Sequence, residues 1–140
     1  RGAAVTVLAE GLATGLALHA AVPHSQIVVT FTAGNLVRVA DRLPLRGMVA
    51  IAADNDHATD GNPGITRAKE AASQLECGVA IPRGMEGTDW LDWRNETLAH
   101  RSGMTSHRRT PSEHQIRREV NALIAREVMS AARFVAARVA

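Results

Sequence analysis

Met48-Val49-Ala50-Ile51-Ala52-Ala53-Asp54-Asn55-Asp56 is the stretch that decides the fold. Six apolar residues without alternation predict a strand buried on both faces, as central parallel strands are. The run then breaks into Asp-Asn-Asp, so the strand delivers two carboxylates at its carboxyl end. Upstream, Val5-Thr6-Val7-Leu8-Ala9 is a shorter β-prone run that stops at Glu10-Gly11. Leu12 to Ala21 is rich in Ala and Leu, predicts a helix, and is ended by Pro23. Residues 26–31 predict the next strand, and Asn35 is placed to cap a short helix through Arg42. Downstream, Asn62-Pro63 reads as an N-cap followed by proline at the first helical position. Ile65, Ala68, Ala71, Ala72 and Leu75 then make a helical stripe up to Glu76, with Gly78 as the expected stop. Residues 77–81 predict a fourth strand ended by Pro82, and 83–93 a loop. This alternation predicts an α/β domain with a mainly parallel four-stranded sheet flanked by helices.

The remainder divides into a polar, Arg-rich linker over 94–110 and a C-terminal amphipathic helix within 111–140. Ser112 and Gln115 form a capping-box pattern. Ile116, Val120, Leu123, Ile124, Val128, Ala131, Val135 and Val139 keep one apolar face that must bury against the body, a second copy or further protein. Residues 1–93 are read as the catalytic core. The chain opens on Arg1 and reaches a strand-like run by Val5, so a domain of a longer polypeptide is expected.

The 140 residues are 46% apolar and 21% charged, a globular mix of one-domain size. No apolar run reaches the about 20 residues of a membrane helix. No signal peptide is seen, which makes the cytoplasm the default expectation, without membrane partners. A single cysteine, Cys77, excludes an internal disulfide and a Cys-rich zinc site. Tyrosine is absent, so this chain cannot complete a reaction that needs a tyrosine nucleophile. Residues 1–93 carry 7 basic and 10 acidic side chains, whereas 94–140 carry 9 and 4. An acidic body with a basic tail points to a cation site in the first and a polyanion or acidic partner for the second. Arg101, Arg108 and Arg109 in the polar segment, and Arg117, Arg118 and Arg126 on the last helix, are the candidate contacts.

In open α/β sheets ligands bind beyond the carboxyl ends of the strands. The first strand delivers Glu10 there, and the third delivers Asp54 and Asp56, with Asp60 a turn later. The fourth leads through a loop to Glu86, Asp89 and Asp92. Massed carboxylates repel unless a cation lies between them. Hard oxygen donors without nearby Cys or paired His favour Mg²⁺ or Mn²⁺ over Zn²⁺, and magnesium with few protein ligands keeps positions for phosphates. Glu10, Asp54 and Asp56 are read as the site, converging from neighbouring strands. Asp60 and Glu86 are read as solvated loop acids, and His57 as a surface histidine. The 54–65 segment is not a calcium loop, because its sixth position is Thr59 and its twelfth is Ile65. There is no phosphate loop, dinucleotide glycine fingerprint or nucleophile elbow.

Val7-Leu8-Ala9-Glu10-Gly11 followed by Ile51-Ala52-Ala53-Asp54-Asn55-Asp56 resembles the Toprim domain, whose signature is a strand ending in Glu-Gly and a later strand ending in Asp-x-Asp. Primases of bacterial type, topoisomerases of types IA and II and some nucleases share that domain. Gly34-Asn35-Leu36 and the run from Asn62-Pro63-Gly64 through Ala71-Ala72 look like the branch found in plasmid and phage primases or primase-helicases. Gly87-Thr88-Asp89-Trp90-Leu91-Asp92 is similar to the further acidic motif of primases. The resemblance spans roughly residues 4–93, and the family's usual glycine after Asp-x-Asp is displaced here to Gly61.

The resemblance implies a Rossmann-like Toprim sheet. It implies Glu10 as general acid/base or metal ligand, Mg²⁺ (or Mn²⁺) on Asp54 and Asp56, and Asp89 as a further ligand. Gly11 would let the backbone turn tightly beside the metal. The activity implied is DNA primase nucleotidyl transfer, joining nucleoside triphosphates into an RNA primer on a single-stranded DNA template. The partners would be other domains of the parent polypeptide, among them a helicase. A metal-dependent nuclease and a non-catalytic nucleic-acid-binding module are the alternatives; the intact Glu10, Asp54 and Asp56 count against the latter. Arg108 and Arg109 are the expected nucleic-acid contacts.

Overall fold

The computed structural model describes residues 5–45, 47–103 and 111–133. Four strands, β1 (Val5–Ala9), β2 (Gln26–Val29), β3 (Met48–Ala52) and β4 (Gly78–Ala80), form one sheet in the order β2-β1-β3-β4. Every pairing is parallel, with Ala9 opposite Val29 on one side and Ala52 on the other. The chain steps from β1 outward to β2, then crosses back to β3 on the far side of β1. That reversal is the topological switch point, and it opens a crevice at the carboxyl ends of β1 and β3.

The faces of the sheet are covered by different helices. Val5, Val7 and Ala9 of β1, with Ala50, Ala52 and Ala80, pack with Ala17 and Leu18 of α1 (Leu12–Ala21) and with Ile124 and Val128 of the last helix. Leu8 and Ile51 point the other way, into a cluster with Leu36 and Ala40 of α2 (Leu36–Ala40) and Ala68, Ala71 and Ala72 of α3 (Pro63–Gln74). The period of two along each strand splits these sets. Burial on both faces is why β1 is apolar almost throughout.

Asn62 caps α3 as its sequence predicts, its Oδ1 accepting from Ile65 N at 3.4 Å, with Pro63 at the first turn. Asn35 does not cap α2 with its side chain. A 3₁₀ turn (Ala33–Asn35) precedes that helix, and Asn35 Nδ2 instead donates to Thr30 O at 3.2 Å. Gly78 is not a helix stop but the first residue of β4. A β-carbon there would run into the Ala131 carbonyl, so the glycine lets a helix backbone lie directly on the strand.

The largest departure lies in the segment read as loop and linker. Residues from Trp90 on, including 94–103 of the expected linker, form a helix, α4 (Trp90–Gly103). Its apolar stripe is weak, and its start is fixed by a side chain: Asp89 Oδ1 accepts from Leu91 N and Asp92 N, each at 2.8 Å. Trp90 is buried beneath the sheet-covering cluster, its ring 5.7 Å from that of Trp93. The last helix, α5 (Glu113–Arg133), starts in the predicted capping box, with Ser112 N on Gln115 Oε1 (2.8 Å) and Gln115 N on Ser112 Oγ (3.2 Å). Ile116, Val120, Ile124 and Val128 are buried, and α5 packs on β3 and β4 and against α1 and α4, so its apolar face is used by the body. Val135 and Val139 lie outside the described residues. No helix of the described residues is long and apolar enough to cross a membrane.

Candidate metal centre

Glu10 follows β1 and Asp54 lies two residues beyond β3, so adjacent parallel strands carry both acids to the switch-point crevice. A β-carbon built on Gly11 would sit 3.4 Å from Asp54 Oδ2, which measures how closely the Glu10-Gly11 corner meets the aspartate. Thr14, fully buried on the first turn of α1, donates its hydroxyl to Asp54 Oδ1 at 2.6 Å. The same Thr14 oxygen accepts from Trp90 N at 3.3 Å. One hydroxyl therefore ties the start of α4 to the Asp54 carboxylate and leaves Asp54 Oδ2 uncommitted.

Asp56 is held by the start of α3, where Gly64 N donates to its Oδ2 at 3.1 Å. Glycine is needed at that point. A β-carbon on Gly64 would lie 2.5 Å from Asp54 O and 2.9 Å from Asp56 Oδ2. The residue at the close approach is thus Gly64. Gly61 serves the turn before it, at φ +72°, with nothing near its Cα face. Asn55, between the two aspartates, braces the loop. Its N donates to Thr88 O (2.6 Å), its Nδ2 to Pro82 O (3.0 Å), and its Oδ1 accepts from Asn62 Nδ2 (2.7 Å).

Burial pushes Asp54 from the ordinary 3.8 up to about 6, and the neighbouring charges of Glu10, Asp89 and Asp56 push the same way, against the Thr14 hydrogen bond that lowers it. Each of the other three acids picked out from sequence therefore acts on Asp54. The ion pairs among the described residues, Arg67–Glu70, Arg101–Glu119 and Arg117–Glu113, involve none of them. Half-buried hard oxygen donors with mutual repulsion and no pairing cation fit a divalent ion of the Mg²⁺ class. Among the described residues no three acids converge tightly enough to enclose an ion as they stand. What the backbone supplies is the delivery of Glu10 and Asp54 to the carboxyl ends of two adjacent strands.

The remaining acids are structural. Asp92 Oδ2 accepts from Thr88 N at 3.3 Å, and Glu96 takes Glu86 N (3.0 Å) and Gly87 N (2.6 Å) on its two oxygens, which fastens the 86–88 loop to α4. Asp60 and Glu86 are exposed. His57 is exposed too, its Nδ1 3.0 Å from Asn55 O. Arg101, read as a free linker arginine, pairs with Glu119 of α5 at 2.5 Å. Arg108 and Arg109 lie outside the described residues. Cys77 is buried and its thiol is pushed up to about 11, so it is no nucleophile near neutral pH. Thr14, Asn55, Gly64 and Glu96 are the residues that sequence reasoning did not assign a role. Only Gly64 carried a signal, as a glycine just after Asn-Pro.

No curated protein and no solved structure matches the chain. The Toprim domain family matches residues 5–100, from the first residue of β1 into α4. That span takes in Glu10-Gly11, Asp54-Asn55-Asp56 and Asp89. A parallel sheet ordered β2-β1-β3-β4, with the Glu-Gly and Asp-x-Asp motifs following its adjacent strands β1 and β3, agrees with that match over most of the sequence, and the chain belongs to the Toprim domain family.

Proposed function

We propose that this chain is the catalytic Toprim core of a DNA primase or primase-helicase. It would join nucleoside triphosphates into a short RNA primer on single-stranded DNA. Toprim domains bind divalent metal ions and act in nucleic-acid processing. The observation that carries the reading is the Asp54 carboxylate, half-buried, raised to about 6 by burial and by Glu10, Asp89 and Asp56, with no pairing cation among the described residues. Asp54 Oδ2 and Asp56 Oδ1 are the oxygens left free by Thr14 and Gly64, and with Glu10 they would hold Mg²⁺ or Mn²⁺. An ion held there would supply charge compensation for the triphosphate, while the 3′-hydroxyl oxygen bonds to the α-phosphorus and the bond to the leaving pyrophosphate breaks. Glu10 would take the proton released from that hydroxyl. The Gly87-Thr88-Asp89-Trp90-Leu91-Asp92 stretch supports primase over the family's other activities, and the absence of tyrosine disfavours the topoisomerases.

The test is incubation of the protein with a single-stranded DNA template, labelled nucleoside triphosphates and Mg²⁺ or Mn²⁺. Metal-dependent RNA products, lost in Asp54→Asn with Asp56→Asn, are the expected result. Shortening of the DNA without RNA synthesis would replace the primase reading with a nuclease. Binding without either reaction would make the chain a non-catalytic module.

A further inference from the structure

We propose that Phe31 is a stacking platform for an unpaired base of single-stranded nucleic acid at the crevice edge; this rests on the nucleic-acid reading above. Phe31 follows β2 by two residues. Thr30 N donates to Ala9 O at 2.9 Å, so the parallel pairing of β2 with β1 continues one step beyond the strand end. Phe31 thus follows the last bonded position of β2 at the carboxyl edge of the sheet, on the strand next to the one that delivers Glu10.

Its backbone is left-handed, at φ +63°. The other described non-glycine residues with positive φ, Asn62 and Glu76, sit at the two ends of α3, where such angles have a capping use. Phe31 has no such excuse, and a bulky aromatic is poorly suited to that region. The angle is imposed from both sides. Asn35 Nδ2 holds Thr30 O at 3.2 Å, and the buried Thr30 hydroxyl lies 3.0 Å from Thr32 O and 3.2 Å from Ala9 O. A glycine would meet this backbone without strain. Packing does not explain the phenylalanine either, because the residue is 74% exposed. What remains is the exposed ring itself, at the same carboxyl edge of the sheet to which β1 delivers Glu10. Carboxylates at that edge repel phosphate groups that lack a cation, so a flat apolar contact to a base suits this position. Bases stack on aromatic rings whatever their identity, which fits a protein that must accept many templates. Leu12 and Leu16, both 57% exposed on α1, make an apolar protein surface the competing occupant.

The experiment is fluorescence anisotropy of a labelled oligothymidylate of about 12 nucleotides, in Mg²⁺, with wild type, Phe31→Trp, Phe31→Leu and Phe31→Gly. Loss of the ring in the leucine and glycine variants should weaken binding on the order of tenfold, while tryptophan retains it. The glycine variant should also unfold at higher urea, because its backbone strain is relieved. A matching oligomer of abasic sites should bind wild type as weakly as the full oligomer binds Phe31→Leu. If wild type binds and the leucine and glycine variants bind equally well, Phe31 touches no base and the inference falls alone. Full binding by Phe31→Leu with loss in Phe31→Gly would mark a mere apolar contact and overturn stacking. Absence of oligomer binding by wild type would overturn both this inference and the nucleic-acid reading beneath it.

Discussion

Asp54→Asn should make the metal-free protein more stable at pH 8, a direction opposite to that of most substitutions in a packed site. The folded-state carboxyl titrates near 6 against 3.8 for an ordinary aspartate, so folding favours its protonated form. The penalty for keeping it ionised is complete above the folded value of about 6, shrinks as pH falls, and vanishes below 3.8. A shift of that size corresponds to about 3 kcal/mol at 1.36 kcal/mol per unit. Asp54 is only half-buried, and solvent screening reduces this to about 1–2 kcal/mol. Asparagine keeps an oxygen for the Thr14 hydroxyl, now at 2.6 Å from Oδ1, and so keeps the link to Trp90 N. The expected gain is therefore about 1–2 kcal/mol at pH 8 and close to none at pH 4. Urea unfolding at both pH values, without metal, reads it directly.

Mg²⁺ should then invert the order. At about one hundred times its Kd a ligand of the folded state adds about 2.7 kcal/mol, more than the gap of about 1–2 kcal/mol. That gain belongs to wild type and should be missing from the asparagine variant, whose neutral side chain is a weak donor. If Asp54→Asn loses stability at pH 8 without metal, Asp54 is an anchor rather than a strained ligand. If both proteins gain equally from Mg²⁺, the ion is bound elsewhere.

Thr14→Val should raise the Asp54 titration further above 6, since it removes the one contact that lowers it, and should cost about 1–3 kcal/mol by leaving Trp90 N unpaired; a carbon-detected NMR titration and urea unfolding check the two effects. Gly64→Ala forces its β-carbon to within 2.5 Å of Asp54 O, and should cost about 1–3 kcal/mol in urea unfolding while weakening Mg²⁺ binding measured by calorimetry. Asp89→Asn should leave α4 folded and reduce Mg²⁺ affinity less than Asp54→Asn does, by the same calorimetry; an equal loss would place Asp89 among the principal ligands. Charge reversal at Arg108 and Arg109 should flatten the salt dependence of single-stranded DNA binding, and an unchanged slope would show that neither meets phosphate.

The strands and their order of use were legible in the sequence because three of the four are apolar runs ending in a chemical landmark: Glu10-Gly11, Asp54 and Pro82. Helix α1 was legible from composition, and α5 from its stripe and capping box. Helix α4 was not, because its apolar stripe is thin and its start depends on one side chain, Asp89, accepting two backbone N–H groups. An acid followed by another three residues on was the available signal for a helix start, and the sequence reading took 83–93 as loop. Glu10, Asp54 and Asp56 could be named from the sequence because they follow apolar strands; the groups that hold the aspartates could not. Thr14 meets Asp54 across 40 positions and Trp90 across 76, contacts that only the closed fold creates.

The four acids of the crevice differ in how much charge each has to offer. Asp89 lies at the N-terminus of the 14-residue α4, where the helix dipole and two N–H groups already compensate its carboxylate. It can lend Oδ2 to an ion, but with its charge partly spent. Asp56 shares one oxygen with a single backbone N–H at the start of α3. Asp54 has one neutral hydroxyl against a burial penalty that pushes its carboxyl up to about 6, so a cation would relieve it. Glu10, on the longest side chain, lies at the corner where Gly11 meets Asp54. On the proposed reading, this gradient would put the ion chiefly on Asp54 and Asp56 and leave Glu10 free to handle a proton. Because Thr14 and Asn55 join Asp54, Trp90 and Thr88 by hydrogen bonds, filling the crevice should tighten the 86–92 loop along with the acids.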